Sequence, residues 1–446
     1  MTPRDHRVSA DPRIGRGCDG RGLPHSAGGA PSRLRGVADF RRLGRGPVSL
    51  RPCGGDVSGP DRRHRDAQLS QQGSCRPAHG RSPRVGSGGE VNTLRRASAW
   101  VYAAAGIAAA LAAGAILLTV TGYAAGPAFS RLFQGAFGSS YSLAQTAVQS
   151  VPILLSGVGI AFAARMGLWN IGAEGQFYMG ALAAVGIFQY FPALPSVLML
   201  TCMAVAGTTA GALWILAPAL LRARLGVSEI LTTLMLNYVA VPASNYFLYG
   251  PWKSPTAFNF PVTRLLTGNA RLPQLPGFPV HIGFPIALAV AAVLSFVLSR
   301  TSWGFQVRVI GDNRRAAEYL GYPIARVTVQ VLCLSGALAG FAGMLHVAGV
   351  THQMLPNLSP GYGYTGIIVA SLALLDVLAT AIVSFLLAGL IVGSQSVQNT
   401  GVPWGLSLFL QGLVLLLALA AVALASRRQA RQRRKARDQK EIVAPA

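Results

Sequence analysis

Between residues 91 and 426 the chain is a succession of apolar segments separated by short polar turns. A segment of roughly 20 helical residues crosses the hydrocarbon core of a bilayer. Only a helix or a closed barrel satisfies its backbone hydrogen bonds there, and these segments have no strand alternation. The pattern therefore predicts an all-α, polytopic integral membrane protein. Ten spans are expected, at about 99–122, 147–165, 175–192, 195–217, 228–249, 282–299, 327–349, 363–375, 377–397 and 405–426. The eighth and ninth are divided only by Asp376 and also read as one long run.

An even number of spans places both termini on one side. If that side is the cytoplasm, it receives Arg95, Arg96, Arg165, Arg222, Arg224, Arg300, Arg308, Arg314, Arg315, Arg326 and eight basic residues of the tail 427–446. The outside receives Arg131, Lys253, Arg264 and Arg271. This asymmetry follows the positive-inside rule and makes both termini cytoplasmic.

Composition enters through the charge. A formal net charge of +24 invites a nucleic-acid reading. Its distribution argues otherwise: +9 falls in residues 1–90, +6 in residues 427–446, and the rest is spread over short loops. Membrane lipid, not nucleic acid, is the expected partner of the basic cytoplasmic tail. Residues 1–90 are rich in Arg, Gly, Pro and Ser and have no sustained hydrophobic period. Such a segment does not offset its ordering entropy. With 36 Arg against 3 Lys the chain has the bias of GC-rich coding, and Val91-Asn92-Thr93-Leu94-Arg95-Arg96 reads like a bacterial start. Residues 1–90 are thus expected to be disordered or untranslated, followed by a transmembrane domain at 91–426.

No phosphate loop of the GxxxxGK[ST] type and no HExxH or GxSxG signature occurs, so no catalytic residue is assigned and no enzyme is expected. The five cysteines, and His281, His346 and His352, show no metal-like spacing. Neither a metal nor a cofactor is expected in this chain. An ion-coupled carrier usually carries ionisable groups within its spans. Here the candidates are Glu174, Glu229 and Asp376, all near expected boundaries, which favours a partner as the source of energy.

Three segments carry a resemblance: Gly167-Leu168-Trp169-Asn170-Ile171-Gly172-Ala173-Glu174-Gly175-Gln176; Leu225-Gly226-Val227-Ser228-Glu229 through Thr232-Thr233-Leu234-Met235-Leu236-Asn237-Tyr238; and Gly304 through Gly321, followed by Ser335-Gly336-Ala337-Leu338-Ala339-Gly340. Together they resemble the permease family shared by ribose-type and nucleoside-type ABC importers, and most of all its nucleoside branch. The resemblance implies a permease subunit that translocates a nucleoside across the bacterial plasma membrane. It also implies a cytoplasmic ATPase that binds the ATP, a second permease, and an extracytoplasmic solute-binding protein. A simple sugar is the alternative solute, and an ion-coupled carrier working alone is the alternative of another class. One departure is Ala373-Leu374-Leu375-Asp376-Val377-Leu378, which stands where the family has a short turn containing Gly and Pro.

The residues have a physical reading beside the resemblance. Asn313 is placed to cap a short helix from Arg314, which Gly321 and Pro323 would end. Gly311, Asp312, Asn313, Arg314, Ala316, Ala317 and Gly321 form the candidate coupling site to the ATPase. The small Ala316 and Ala317 would permit close docking, although a solvated loop is the plainer reading. Asn170, Glu174 and Gln176 either satisfy broken helix ends or touch the solute. Thr232, Thr233 and Asn237 share roughly one helical face, and either bond a neighbouring helix or line the path.

Overall fold

A computed structural model describes residues 105–106, 108–258, 260–398 and parts of 402–427. The expectations for residues 1–90, for a start at Val91 and for the tail beyond 427 lie outside the described residues. Among those described there is no β-strand, only an isolated bridge between Gln274 and His281.

The helices are α1 (Ala108–Val120), α2 (Ala125–Phe137), α3 (Ser140–Ala164), α4 (Ala173–Tyr190), α5 (Ser196–Leu225), α6 (Glu229–Tyr249), α7 (Gly283–Arg300), α8 (Ser302–Asp312), α9 (Arg314–Tyr319), α10 (Ile324–His346), α11 (Tyr362–Leu372), α12 (Val377–Gln398) and α13 (Gln411–Ala421). Among the described residues five are long and apolar enough to cross a membrane: α3, α5, α7, α12, and α10 with the π turn Val347–Thr351 that continues it. The expected span at 363–375 is α11, of 11 residues. At 1.5 Å per residue it is about 16 Å long, too short for a crossing. The sequence reading had no counterpart of α2. Its 13 residues are amphipathic, burying Ala128 and Ala136 while Arg131 and Phe133 stay exposed, so it shows no span-length apolar run.

Local chemistry sets the helix ends. The Ser139 hydroxyl accepts from the Ser142 amide at the start of α3, and Gly226, at φ 69°, closes α5 in the left-handed conformation. The α11–α12 turn lacks the family's glycine and proline. Leu374 and Leu375 adopt positive φ there, 54° and 59°, a costly conformation for branched side chains. It is held from both sides: Arg165 Nε donates to the Leu375 carbonyl at 2.8 Å, and Asp376 Oδ1 accepts from the Leu378 and Ala379 amides. Asp376 thus divides two helices by capping the second.

The core is built on α3, α4, α5 and α10. Small residues let these backbones touch, the usual basis of helix packing in lipid. A Cβ on Gly180 would lie 2.2 Å from the Gly340 carbonyl oxygen, one on Gly211 2.2 Å from that of Gly336, and one on Gly340 2.3 Å from that of Gly207.

The segments bearing most loop arginines gather at one end. There Arg165 lies against Asp376, Arg222 against Glu229, and Gly311 beside the Arg165 carbonyl. At the opposite end the 250–282 loop lies over the end of α10. Its Leu266 and Leu272 amides donate to the His352 and Ala348 carbonyls.

Gly340→Val should destabilise the fold, because its clash is with backbone and no rotamer relieves it. Overpacking of about 1–3 kcal/mol is the expected minimum. Gly268→Ala, which meets nothing within 4 Å, should be neutral. Thermal unfolding of both variants in detergent measures the difference.

Candidate functional site

Two stretches of non-helical backbone enter the core and meet. The first follows α3: Gly167 turns the chain at φ 74°, and residues 168–172 run to the start of α4 without a regular helix. The second follows the π turn of α10: residues 352–361 return inward to the start of α11. Both are deep. Asn170 Nδ2 donates to Ser335 Oγ at 3.0 Å. Ser335 lies about 16 Å along α10 from its start at 1.5 Å per residue. Backbone at such depth has no water to bond and must find partners within the protein.

The motif residues supply those partners. Asn170 and Gln176 exchange two hydrogen bonds, Asn170 Nδ2 to Gln176 Oε1 at 2.7 Å and Gln176 Nε2 to Asn170 Oδ1 at 2.9 Å. Asn237 Oδ1 accepts from the Gly175 amide, while its Nδ2 donates to the Ile171 carbonyl and the Tyr364 hydroxyl. Glu174 Oε2 accepts from the Gly363 amide at 2.7 Å, joining the two breaks directly. A Cβ on Gly363 would stand 2.3 Å from the Glu174 nitrogen, so the contact requires glycine. The sequence left Asn170, Glu174 and Gln176 open between structure and solute. All three are buried, with polar atoms committed to backbone and to one another.

The other two acids near the expected boundaries do similar work. Glu229 Oε1 accepts from the Trp169 amide, and its Oε2 pairs with Arg222 at 3.1 Å. Asp376 caps α12. Thr232 and Thr233, read from the sequence as bonding a neighbouring helix or lining the path, both donate their hydroxyls to carbonyls of their own turn, at Ser228 and Glu229. Of that trio only Asn237 reaches across.

Several residues of this region were not singled out from the sequence. Ser359 Oγ accepts from the Gly361 and Tyr362 amides, its own amide donates to Tyr178 Oη, and Gln149 donates to Tyr362 Oη at 2.6 Å. The available signal was the run Ser359-Pro360-Gly361, turn residues lying beside an apolar stretch.

At the arginine-rich end, α9 begins at Arg314 and Asn313 Oδ1 caps it through the Ala316 amide at 3.1 Å. Gly321, at φ 73°, ends it. The orientation differs from expectation. The Ala317 side chain is 0% exposed and packs in this chain's own core, so it is not offered to a partner. Ala316 is half-buried. The outward residues are Arg314, Arg315, Glu318, Tyr319 at 92% exposure and Leu320 at 63%. Asp312 is also exposed. Gly311 seats α8, since a Cβ there would lie 1.9 Å from the Arg165 carbonyl oxygen. Beside it a cleft of about 250 Å³ is lined by Met166, Leu168, Arg222, Arg314 and Thr328, among others. Among the described residues no three His, Cys, Asp or Glu side chains are grouped to hold a metal ion.

Residues 142–419 match the family described as branched-chain amino acid transport system / permease component. The chain belongs to this family. It is 34% identical over 327 residues to the glucose ABC transporter permease protein of Haloferax volcanii, covering 71% of this chain and 86% of that protein. It is 32% identical over 305 residues to a guanosine ABC transporter permease protein of Bacillus subtilis, covering 66% and 85%. A second guanosine permease protein of that bacterium is 25% identical over 239 residues, covering 49% and 70%. The permease is a membrane transport component and not an enzyme.

Removing the joint between the breaks should loosen the permease. Glu174→Ala leaves the Gly363 amide buried without an acceptor, a cost of about 1–3 kcal/mol. Glu174→Gln retains an amide oxygen and should lose less. Thermal unfolding in detergent should rank the proteins wild type, Gln, Ala.

Proposed function

We propose that the permease is a transmembrane subunit of an ATP-driven importer that passes a nucleoside through the bacterial plasma membrane, with its arginine-rich end in the cytoplasm. The observation that carries this is the match to a guanosine permease along 85% of that protein's length, together with the polar residues of the first two segments, Asn170, Glu174, Gln176 and Asn237, which bond the two breaks. A sugar is the second reading, favoured by the 34% identity to the glucose permease. The two guanosine permeases of one bacterium, matched unequally by this chain, support a pairing of two different permeases. An extracytoplasmic binding protein would deliver the solute. ATP would be bound and hydrolysed by separate cytoplasmic subunits.

The exposed Tyr319 and Leu320 are the candidate contact with the ATPase. An apolar pair on a capped turn outside the membrane suits a cleft in a soluble partner, and α8 transmits its position to the Arg165 backbone. The pair Tyr319→Ala and Leu320→Ser should leave abundance near normal while cutting ATPase co-purification and uptake. Ala317→Trp should behave differently: it overpacks the permease's own core by about 1–3 kcal/mol and lowers abundance first. Normal uptake in the Tyr319/Leu320 variant would remove this surface from the coupling role.

The function itself is tested by uptake of labelled guanosine and glucose in a strain lacking the gene and in the complemented strain. Guanosine uptake should disappear with the gene and return with it, and should require ATP. Loss of glucose uptake alone would select the sugar reading. Uphill transport by the isolated permease in liposomes, driven by an ion gradient, would overturn the ATP-driven one.

A further inference from the structure

Helix α6 has the length of a membrane span, 21 residues, and its only acidic or basic residue is Glu229. It is nevertheless absent from the five helices apolar enough to cross by composition. Its buried stripe is narrow: Glu229, Thr233, Asn237, Ala240, Ser244 and Leu248. Much of the remaining circumference is open, and there Tyr238, Asn245 and Tyr249 fall on one side at helical spacing, with Tyr246 a step round. Tyr246 and Tyr249, near the helix end, suit an ordinary aromatic belt at a membrane interface. Tyr238 does not. It lies about 14 Å along the axis from Glu229 at 1.5 Å per residue, yet is 68% exposed. A phenol at that depth facing lipid would leave its hydroxyl without a partner.

A second tyrosine is tied to the residue before it. Tyr364 of α11 is 39% exposed. Its hydroxyl accepts the 3.1 Å hydrogen bond from Asn237 Nδ2. The same Asn237 nitrogen holds the Ile171 carbonyl, so the ring is tied to the point where the two backbone breaks meet. Aromatic faces of this kind stack on planar heterocycles, and phenol hydroxyls bond their polar edges.

We infer that the outward face of α6 at Tyr238, with Tyr364 of α11, is a wall of the solute path and receives the planar ring of the solute. This rests on the importer reading and adds to it the surface that meets a nucleobase. It also relocates the path on α6: Thr232 and Thr233 bond their own helix and Asn237 is buried, while Tyr238 points away from the stripe they share.

The test is carried out in the assembled transporter in membranes, with Cys18, Cys53, Cys75, Cys202 and Cys333 replaced by Ser. A Tyr238→Cys variant should react with a charged, membrane-impermeant thiosulfonate, and guanosine should slow the reaction several-fold. Val293→Cys, on the open face of α7, should not react. In the otherwise native chain, Tyr238→Ala should raise the KM for guanosine uptake about tenfold, as expected for one lost base–aromatic stack, while Tyr238→Phe, which keeps the ring and loses only the hydroxyl, should raise it less. An unreactive Cys at 238 with normal uptake would overturn the path assignment and leave the importer reading standing. So would a cross-link from 238 to a neighbouring permease that guanosine does not affect. Protection by glucose and not by guanosine would overturn the assignment to a planar ring. If deletion of the gene changes neither uptake, it is the importer reading that falls.

Discussion

A backbone that leaves the helix inside a bilayer must bring its own hydrogen-bond partners, and this permease does so at two places that serve each other. The break before α4 and the break before α11 are single-sided alone: each exposes amides at a helix N-terminus. Set together, they share Glu174. That carboxyl group lies in the first turn of α4 and accepts from the first turn of α11. Asn237 and the Asn170–Gln176 pair complete the arrangement from α6 and from the break itself. Without this mutual satisfaction neither break would be stable at its depth, and α11 would have no reason to begin where it does.

The joint is also the middle of a mechanical chain. Gly311 at the end of α8 rests on the carbonyl of Arg165. The Arg165 guanidinium holds the Leu375 carbonyl and faces Asp376, so the α11–α12 turn is fixed to the end of α3. The other end of α11 carries Gly363, bonded to Glu174, and Tyr364, bonded to Asn237. Short contacts between backbone atoms deform little, so displacement passes through them as rigid-body motion. A movement imposed on α8 and α9 therefore has a direct route to both ends of α11.

How much of this the sequence disclosed depends on whether a feature is local. Span-length apolar runs pointed to α3, α5, α7, α10 and α12, because bilayer thickness imposes a length that hydropathy reads directly. The Asn313 cap and the Gly321 stop were legible because capping is settled within a few residues. The short α2 was not, since an amphipathic helix of 13 residues lacks the length signal. Nor was it legible that α11 is half a span: only the inward return of residues 352–361 makes that evident. Ala317 shows the limit most plainly. Its size suggested close approach to a neighbour, and it is closely approached, but by its own chain.

The same limit separates the polar residues of the motifs into two groups that sequence alone presents as one. Asn170, Glu174, Gln176 and Asn237 stand out as polar residues within or beside apolar runs, and hydropathy treats them like Tyr238 and Tyr364. Folding sorts them by where their partners are. The first four find their partners within the permease and are buried by them. Tyr238 has no hydrogen-bonding partner among the described residues, and Tyr364 spends its hydroxyl on Asn237 while its ring stays open. A polar side chain that folding has satisfied is part of the scaffold. One left open at membrane depth is free to meet an occupant that the chain does not supply, and that is the role inferred for Tyr238.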